Sequence, residues 1–242
     1  MRKHLSVWMT AARGIAGPLA LILLVMAAAE GILLWSAYPD YEATGLYFLL
    51  SDCPLVWPFR AALVLLAAAC CLHGSGLGGS AVGNTLGRLR VSELTAFLLW
   101  GLCYATAFVI LWAVQAGILL GAGWYFTAHA ALSAASPQTV LLASWQVPFF
   151  HAVLPLDQWT GYVRMACLSL GLGIGCAAWS FWRRRTANGY AAPFLVILWV
   201  VTITFDPTDL SMDLFLILAA LVTAGVSIYL VWGEVYRHAD SH

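Results

Sequence analysis

The chain has 242 residues, of which 62% are hydrophobic and 9% charged, and its formal net charge is zero. Soluble domains carry about 25% charged residues, so this composition excludes a water-facing globule. A zero net charge gives no electrostatic case for a nucleic-acid partner.

The apolar residues come in long runs rather than in alternation. That pattern predicts an all-α, polytopic bundle of transmembrane helices in a single transmembrane domain over 1–242. Met1, Arg2, Lys3 and His4 form a basic start before the first run, as in a secretory signal. The run is too long for a signal peptide and no cleavage site with a soluble domain follows it, so it reads as a retained first span over 13–35. The other predicted spans are 59–79, 94–124, 162–182, 191–205 and 213–232. About 20 apolar residues cover the hydrocarbon core, so the third is over-long and the fifth short.

A seventh apolar run, 139–156, contains Gln146, Pro148, His151 and Pro155. Its prolines lack backbone donors, and polar groups at membrane depth need partners. With six crossings and the N-terminus inside, nine cations (Arg2, Lys3, Arg13, Arg88, Arg90, Arg183, Arg184, Arg185, Arg237) lie inside, and only Arg60 and Arg164 lie outside. That is the positive-inside pattern. A seventh crossing would put the Arg183–Arg185 triplet outside, so 139–156 is predicted as a re-entrant or interfacial element on the outer side. Both termini are then cytoplasmic, in a cytoplasmic (inner) membrane. Trp35, Trp57, Trp124, Trp145, Trp159, Trp182 and Trp232 sit near run ends, where an aromatic belt places them.

Glu30 is the one acid deep inside a run. At about 1.5 Å per residue it lies roughly 22 Å beyond Ile15, toward the outer leaflet. An ionisable group at that depth usually faces the bundle interior and marks a pathway or gate; a packing hydrogen bond is the alternative. The six cysteines include no C-x-x-C pair, and five of them lie in apolar runs, so no disulfide framework is expected. His129, His151 and Asp157 fall on the outer side without metal spacing, so no metal, catalytic or cofactor residues are assigned. His151 and Asp157 belong to the outer element, which reads as a rigid lid. Residues 74–79 are glycine-rich but lack the Lys-Ser/Thr of a phosphate loop.

The segment 83–93 joins the second and third predicted spans, with Leu86, Leu89 and Arg90 at helical spacing and Ser92 or Thr85 as a candidate cap. Its sequence Thr85-Leu86-Gly87-Arg88-Leu89-Arg90-Val91-Ser92-Glu93 resembles the cytoplasmic coupling loop of type-2 ATP-binding-cassette exporter permeases. That family commonly carries its re-entrant element between the fifth and sixth spans; here the outer run lies between the third and fourth. The resemblance implies a permease subunit that holds no cofactor itself, and a cytoplasmic ATP-binding subunit, carrying the ATP, that docks at Arg88, Leu89, Arg90 and Glu93. It also implies a second permease copy or a paralogue completing the pathway. Two other readings stand beside it: an ion- or proton-coupled carrier that uses Glu30, and a membrane enzyme or assembly factor that uses the outer histidines.

Overall fold

In hydrocarbon every backbone N–H and C=O must be satisfied within the protein, so long apolar runs fold as helices. A computed structural model describes residues 2–41, 45–73, 92–129, 136–184, 191–202 and 210–239, and all of its regular structure is α-helical. The helices are α1 (Arg2–Tyr41), α2 (Leu46–Asp52), α3 (Val56–Leu72), α4 (Glu93–His129), α5 (Pro137–Gln146), α6 (Pro148–Val153), α7 (Trp159–Arg184), α8 (Ala191–Thr202) and α9 (Leu210–Ala239).

Helices α1, α4, α7 and α9 are each long and apolar enough to cross a membrane, and α2 with α3 makes a fifth candidate bent by 48°. The protein is therefore a multi-pass membrane bundle. Large apolar side chains lie outward along α9, at Leu214, Phe215, Leu218, Leu221, Val222 and Val226, as lipid contact requires. The buried residues of the same helix, Asp213, Leu216, Ala220, Ala224, Ser227 and Val231, recur at three- and four-residue steps.

Every predicted span coincides with helix, but the bounds differ. Helix α1 has 40 residues, about 60 Å, and α4 has 37, about 55 Å, so both exceed the hydrocarbon thickness. Helix α3 begins before residue 59 and stops at Leu72, because His73 takes an extended backbone (φ −65°, ψ 122°); residues 74–79 of the predicted span lie outside the described residues. Helix α8 has 12 residues, about 18 Å, and 203–205 are likewise outside the description.

The predicted outer element is two short helices, α5 with ten residues and α6 with six, broken at Val147. Pro148 opens α6, where a missing N–H costs nothing. Neither helix is long enough to cross. Helix α2 went unpredicted; it starts after Gly45, whose φ of 110° is a left-handed backbone that glycine adopts without strain.

Side-chain contacts fix the helix directions. Gly14 of α1 meets His73 beyond the end of α3, and His73 stacks on Trp100 near the start of α4. Farther along, Tyr38 of α1 meets Tyr125 and Phe126 of α4. Helices α1 and α4 therefore run parallel, with α3 antiparallel to them. Arg164 meets Asp213, and Gly171 meets Ala220, so α7 runs parallel to α9. Trp112 of α4 meets Tyr162 of α7, and Gly101 meets Ile174, so α7 opposes α4. Both described ends of the chain belong to one face of the bundle, the terminal face, and α5 and α6 belong to the other.

Helix α7 is the central post, wedged between α4 and α9. Gly173 makes this possible. A Cβ there would lie 2.4 Å from the Ala105 nitrogen and the Gly101 oxygen, so α4 and α7 touch backbone to backbone. Small residues at a crossing are how membrane helices gain packing without a hydrophobic drive.

Candidate functional site

Six residues short, α6 leaves its last carbonyls without helical acceptor bonds. At membrane depth each needs a donor. Trp112 of α4 donates its indole N–H to the Val153 oxygen (2.6 Å), and Arg164 of α7 donates to the Ala152 oxygen (3.3 Å). Arg164 also donates to Asp213 Oδ1 of α9 at 2.5 Å. Both partners are buried, Arg164 at 5% exposure and Asp213 at 1%. One guanidinium thus ties α6, α7 and α9 together. A buried carboxylate and a buried guanidinium are each costly alone and tolerable as a pair.

At the same end, His151 of α6 is buried and donates from Nε2 to Asp157 Oδ1 at 2.7 Å, in the loop before α7. Burial alone would raise the Asp157 carboxyl; the hydrogen bonds from His151, from its own backbone N–H and from Gln158 outweigh that and hold it below its usual range. This pair staples the loop that leads from the outer element into α7. Pro155 closes the same corner against Gly161, where a Cβ would meet its ring at 2.4 Å.

Glu30 lies at the α1–α4 interface with no exposed surface. Gln115 of α4, equally buried, donates its amide to Glu30 Oε2 at 3.0 Å. Among the described residues, neither Glu30 Oε1 nor Gln115 Oε1 has a hydrogen-bond partner. Glu30 makes no ion pair with any described residue. Cys53, at the bend between α2 and α3, is within Coulombic reach of it. One helical turn toward the α5–α6 end, a cavity of about 310 Å³ opens between α1, α2 and α4, lined almost wholly by apolar groups.

At the terminal face the orphan carbonyls belong to α3. The Ser180 hydroxyl of α7 lies 3.2–3.3 Å from the carbonyl oxygens of Cys70, Cys71 and His73, and the Tyr104 hydroxyl donates to the His73 oxygen at 3.4 Å. This end is pinned from two helices before the chain enters 74–91.

Of the predicted site residues, His151 and Asp157 come together, and Glu30 faces the bundle at a distinct helix pair. Arg88, Leu89 and Arg90 lie outside the described residues. Glu93 is the exposed first residue of α4, with Ser92 as its cap: the Thr95 N–H donates to Ser92 Oγ at 3.2 Å. Sequence reasoning missed Gln115, Trp112 and the Arg164–Asp213 pair. Gln115 carried a usable signal, since it is an amide in the run Ala113-Val114-Gln115-Ala116. Among the described residues, no three His, Cys, Asp or Glu side chains converge as metal ligands would. No protein-family model, curated protein or solved structure matches the chain.

Proposed function

We propose that this chain is the membrane-spanning subunit of an ATP-driven exporter in the cytoplasmic membrane, crossing it six times with both ends inside. A separate ATPase docks at Arg88, Leu89, Arg90 and Glu93, and a second copy or a paralogue completes the pathway for an apolar or amphipathic substrate. The observation that carries the reading is the continuity of α4. Glu93, the last residue of the basic segment 83–93, opens a capped helix, and Gln115 stands 22 residues later, about 33 Å away, holding Glu30. A push at 83–93 would reach the Glu30 site through a rigid rod, and rigid-body helix motion is how such switches work. The close packing of α4, α7 and α9 supports a pathway between subunits rather than through one chain. The return from Arg184 at the terminal face to Leu210 at the opposite face, with α8 in between, supports the sixth crossing.

Co-purification with a candidate ATP-binding protein, one encoded by an adjacent reading frame with Walker A and B motifs, tests the reading. Reversing Arg88 and Arg90 to Glu should abolish the complex and leave membrane insertion intact; retained complex would remove the docking site. External labelling of Arg184→Cys would overturn the six-span topology.

The unpaired acid favours a second reading, a proton-coupled carrier. Transport that needs no ATPase and follows a proton gradient would select it.

A further inference from the structure

Helices α1 and α4 close on each other twice and part in between. At the first closure Gln115 donates to Glu30; at the second, Tyr38 meets Tyr125 and Phe126 edge-on. Glu30 and Tyr38 lie eight residues apart, about 12 Å along α1. Between the closures lies the apolar cavity of about 310 Å³, which Leu49 of α2 also lines. Its room comes from glycine: a Cβ on Gly31 or Gly121 would meet nothing within 4 Å.

The cavity is a cleft in the lipid-facing surface. Gly31 and Trp35 of α1 and Gly121 and Tyr125 of α4 line it and are all exposed. Trp35 continues the exposed apolar face of Leu21, Val25 and Ile32, spaced by three, four and seven residues along α1. Of the four long spans, α1 has the smallest buried share, so its seam with α4 is where lipid comes closest to the interior. An apolar cleft offers water no partners, and an empty one forfeits the contacts of its walls. The occupant is therefore apolar, and the medium that adjoins the cleft is hydrocarbon. A cavity of about 150 Å³ holds one benzene-sized molecule; this one is about twice as large. It runs from Gly31 to Tyr38 and from Ile118 to Phe126, about 10–12 Å along the helices, the direction in which bilayer chains lie.

We propose that this cleft holds one acyl chain of a phospholipid from the leaflet at the α5–α6 face, seated against Gly31 and Gly121 and retained while the surrounding lipids exchange. No hydrophobic drive moves a chain from lipid to protein, so packing decides. A chain on the outer face of one helix touches protein on one side. In the cleft it touches α1, α2 and α4 together, and those dispersion contacts add. The site needs neither the ATPase nor a second subunit, and its failure leaves the exporter reading as it stands.

The test uses the full chain purified in detergent micelles, loaded with tritiated dioleoylphosphatidylcholine and washed exhaustively with detergent. One labelled phospholipid per chain should remain. Gly121→Leu fills the cleft and should lower the retained amount at least about tenfold, equivalent to about 1.4 kcal/mol. Gly225→Leu adds the same side chain to α9, where a Cβ also meets nothing within 4 Å, and should retain its lipid. On the unmodified chain, lysophosphatidylcholine, which has one chain, should displace the label, and glycerophosphocholine, which has none, should not. That comparison does not depend on how any variant folds. Displacement by glycerophosphocholine would mean a headgroup site and would overturn the proposal. So would retention unchanged in Gly121→Leu, equal loss in Gly225→Leu, or no lipid left on the unmodified chain. A tightly held apolar molecule from the host membrane that excludes the labelled lipid would also overturn it, since the cleft would then belong to another ligand.

Discussion

Glu30 and Asp213 are both carboxylates buried between helices, and they are held in opposite ways. Asp213 faces a guanidinium that also serves a carbonyl of α6, so its charge is balanced inside the fold and three helices depend on the balance. Among the described residues, Glu30 bonds to a neutral amide and makes no ion pair, and each partner keeps an oxygen without a donor. The first arrangement gives the carboxylate a counter-charge inside the fold, although its Oδ2, like Glu30 Oε1, has no hydrogen-bond partner among the described residues. The second leaves the carboxyl without a counter-charge among the described residues. The comparison separates a charge-balanced pair that builds the α5–α6 end of the bundle from an acid–amide pair with no balancing charge among the described residues.

The largest effect should come from breaking the balanced pair. Asp213→Asn leaves a buried guanidinium without its counter-charge and should cost about 3–5 kcal/mol, read by steric-trap unfolding in bicelles. Replacing both partners, Arg164→Met with Asp213→Leu, should recover much of that loss, because the charge problem goes with the pair. Failure of the double variant to recover would mean that the bond to the Ala152 carbonyl matters more than the charge balance.

Next in size is the α4–α7 crossing. Gly173→Val puts side-chain atoms against the Ala105 and Gly101 backbone, and neither can move aside as a flexible side chain would. The two helices must separate, at about 1–3 kcal/mol or more. Gly225→Ala, where a Cβ meets nothing within 4 Å, should be neutral by the same measurement. A Gly173 variant as stable as the Gly225 variant would show that the crossing is looser than its geometry implies.

The spans were legible because hydropathy is a property of each segment alone. Glu30 was legible for the same reason: it breaks an apolar run. Its partner is 85 positions away. Periodicity within one helix carries no information on which distant helix will face it, so the pair was invisible even though Gln115 also breaks an apolar run. Arg164 and Asp213 were hidden differently. Each lies within a few residues of a span end, where charge normally means water, and only the cover provided by α5 and α6 turns that end into an interior. Helix α2 was missed because its seven residues, ending at Asp52 just before Cys53 and Pro54, are too few to stand out as an apolar run. The broken shape of 139–156 was partly legible from Pro148 and Pro155, but not its role as the roof whose carbonyls Trp112 and Arg164 serve.

Smaller effects sharpen the contrast. Trp112→Phe keeps the ring contact with Tyr162 and strands the Val153 carbonyl, so about 1 kcal/mol should be lost, together with faster proteolysis of α5–α6. Asp157 should give the least. Its side chain is 41% exposed, so its interaction with His151 is screened, and Asp157→Asn should cost about 0.2–1 kcal/mol. A carboxyl held below its unfolded-chain value adds stability above about pH 4 and loses it as pH falls through the folded value. The cost of Asp157→Asn should therefore be present above about pH 4 and shrink as pH falls below it. A cost that grows on acidification would contradict the assignment.

The most direct test of the contrast between the two carboxylates is one unfolding measurement made on two amide variants, Asp213→Asn and Glu30→Gln, in the same bicelles at pH 7. Each changes one buried carboxylate into its near-isosteric amide. Asp213→Asn should lose about 3–5 kcal/mol, because the fold relies on that charge. Glu30→Gln should lose less than about 1 kcal/mol or gain stability, because no described cation balances its charge in the folded chain. A loss in Glu30→Gln as large as that in Asp213→Asn would contradict the account and make Glu30 a structural residue.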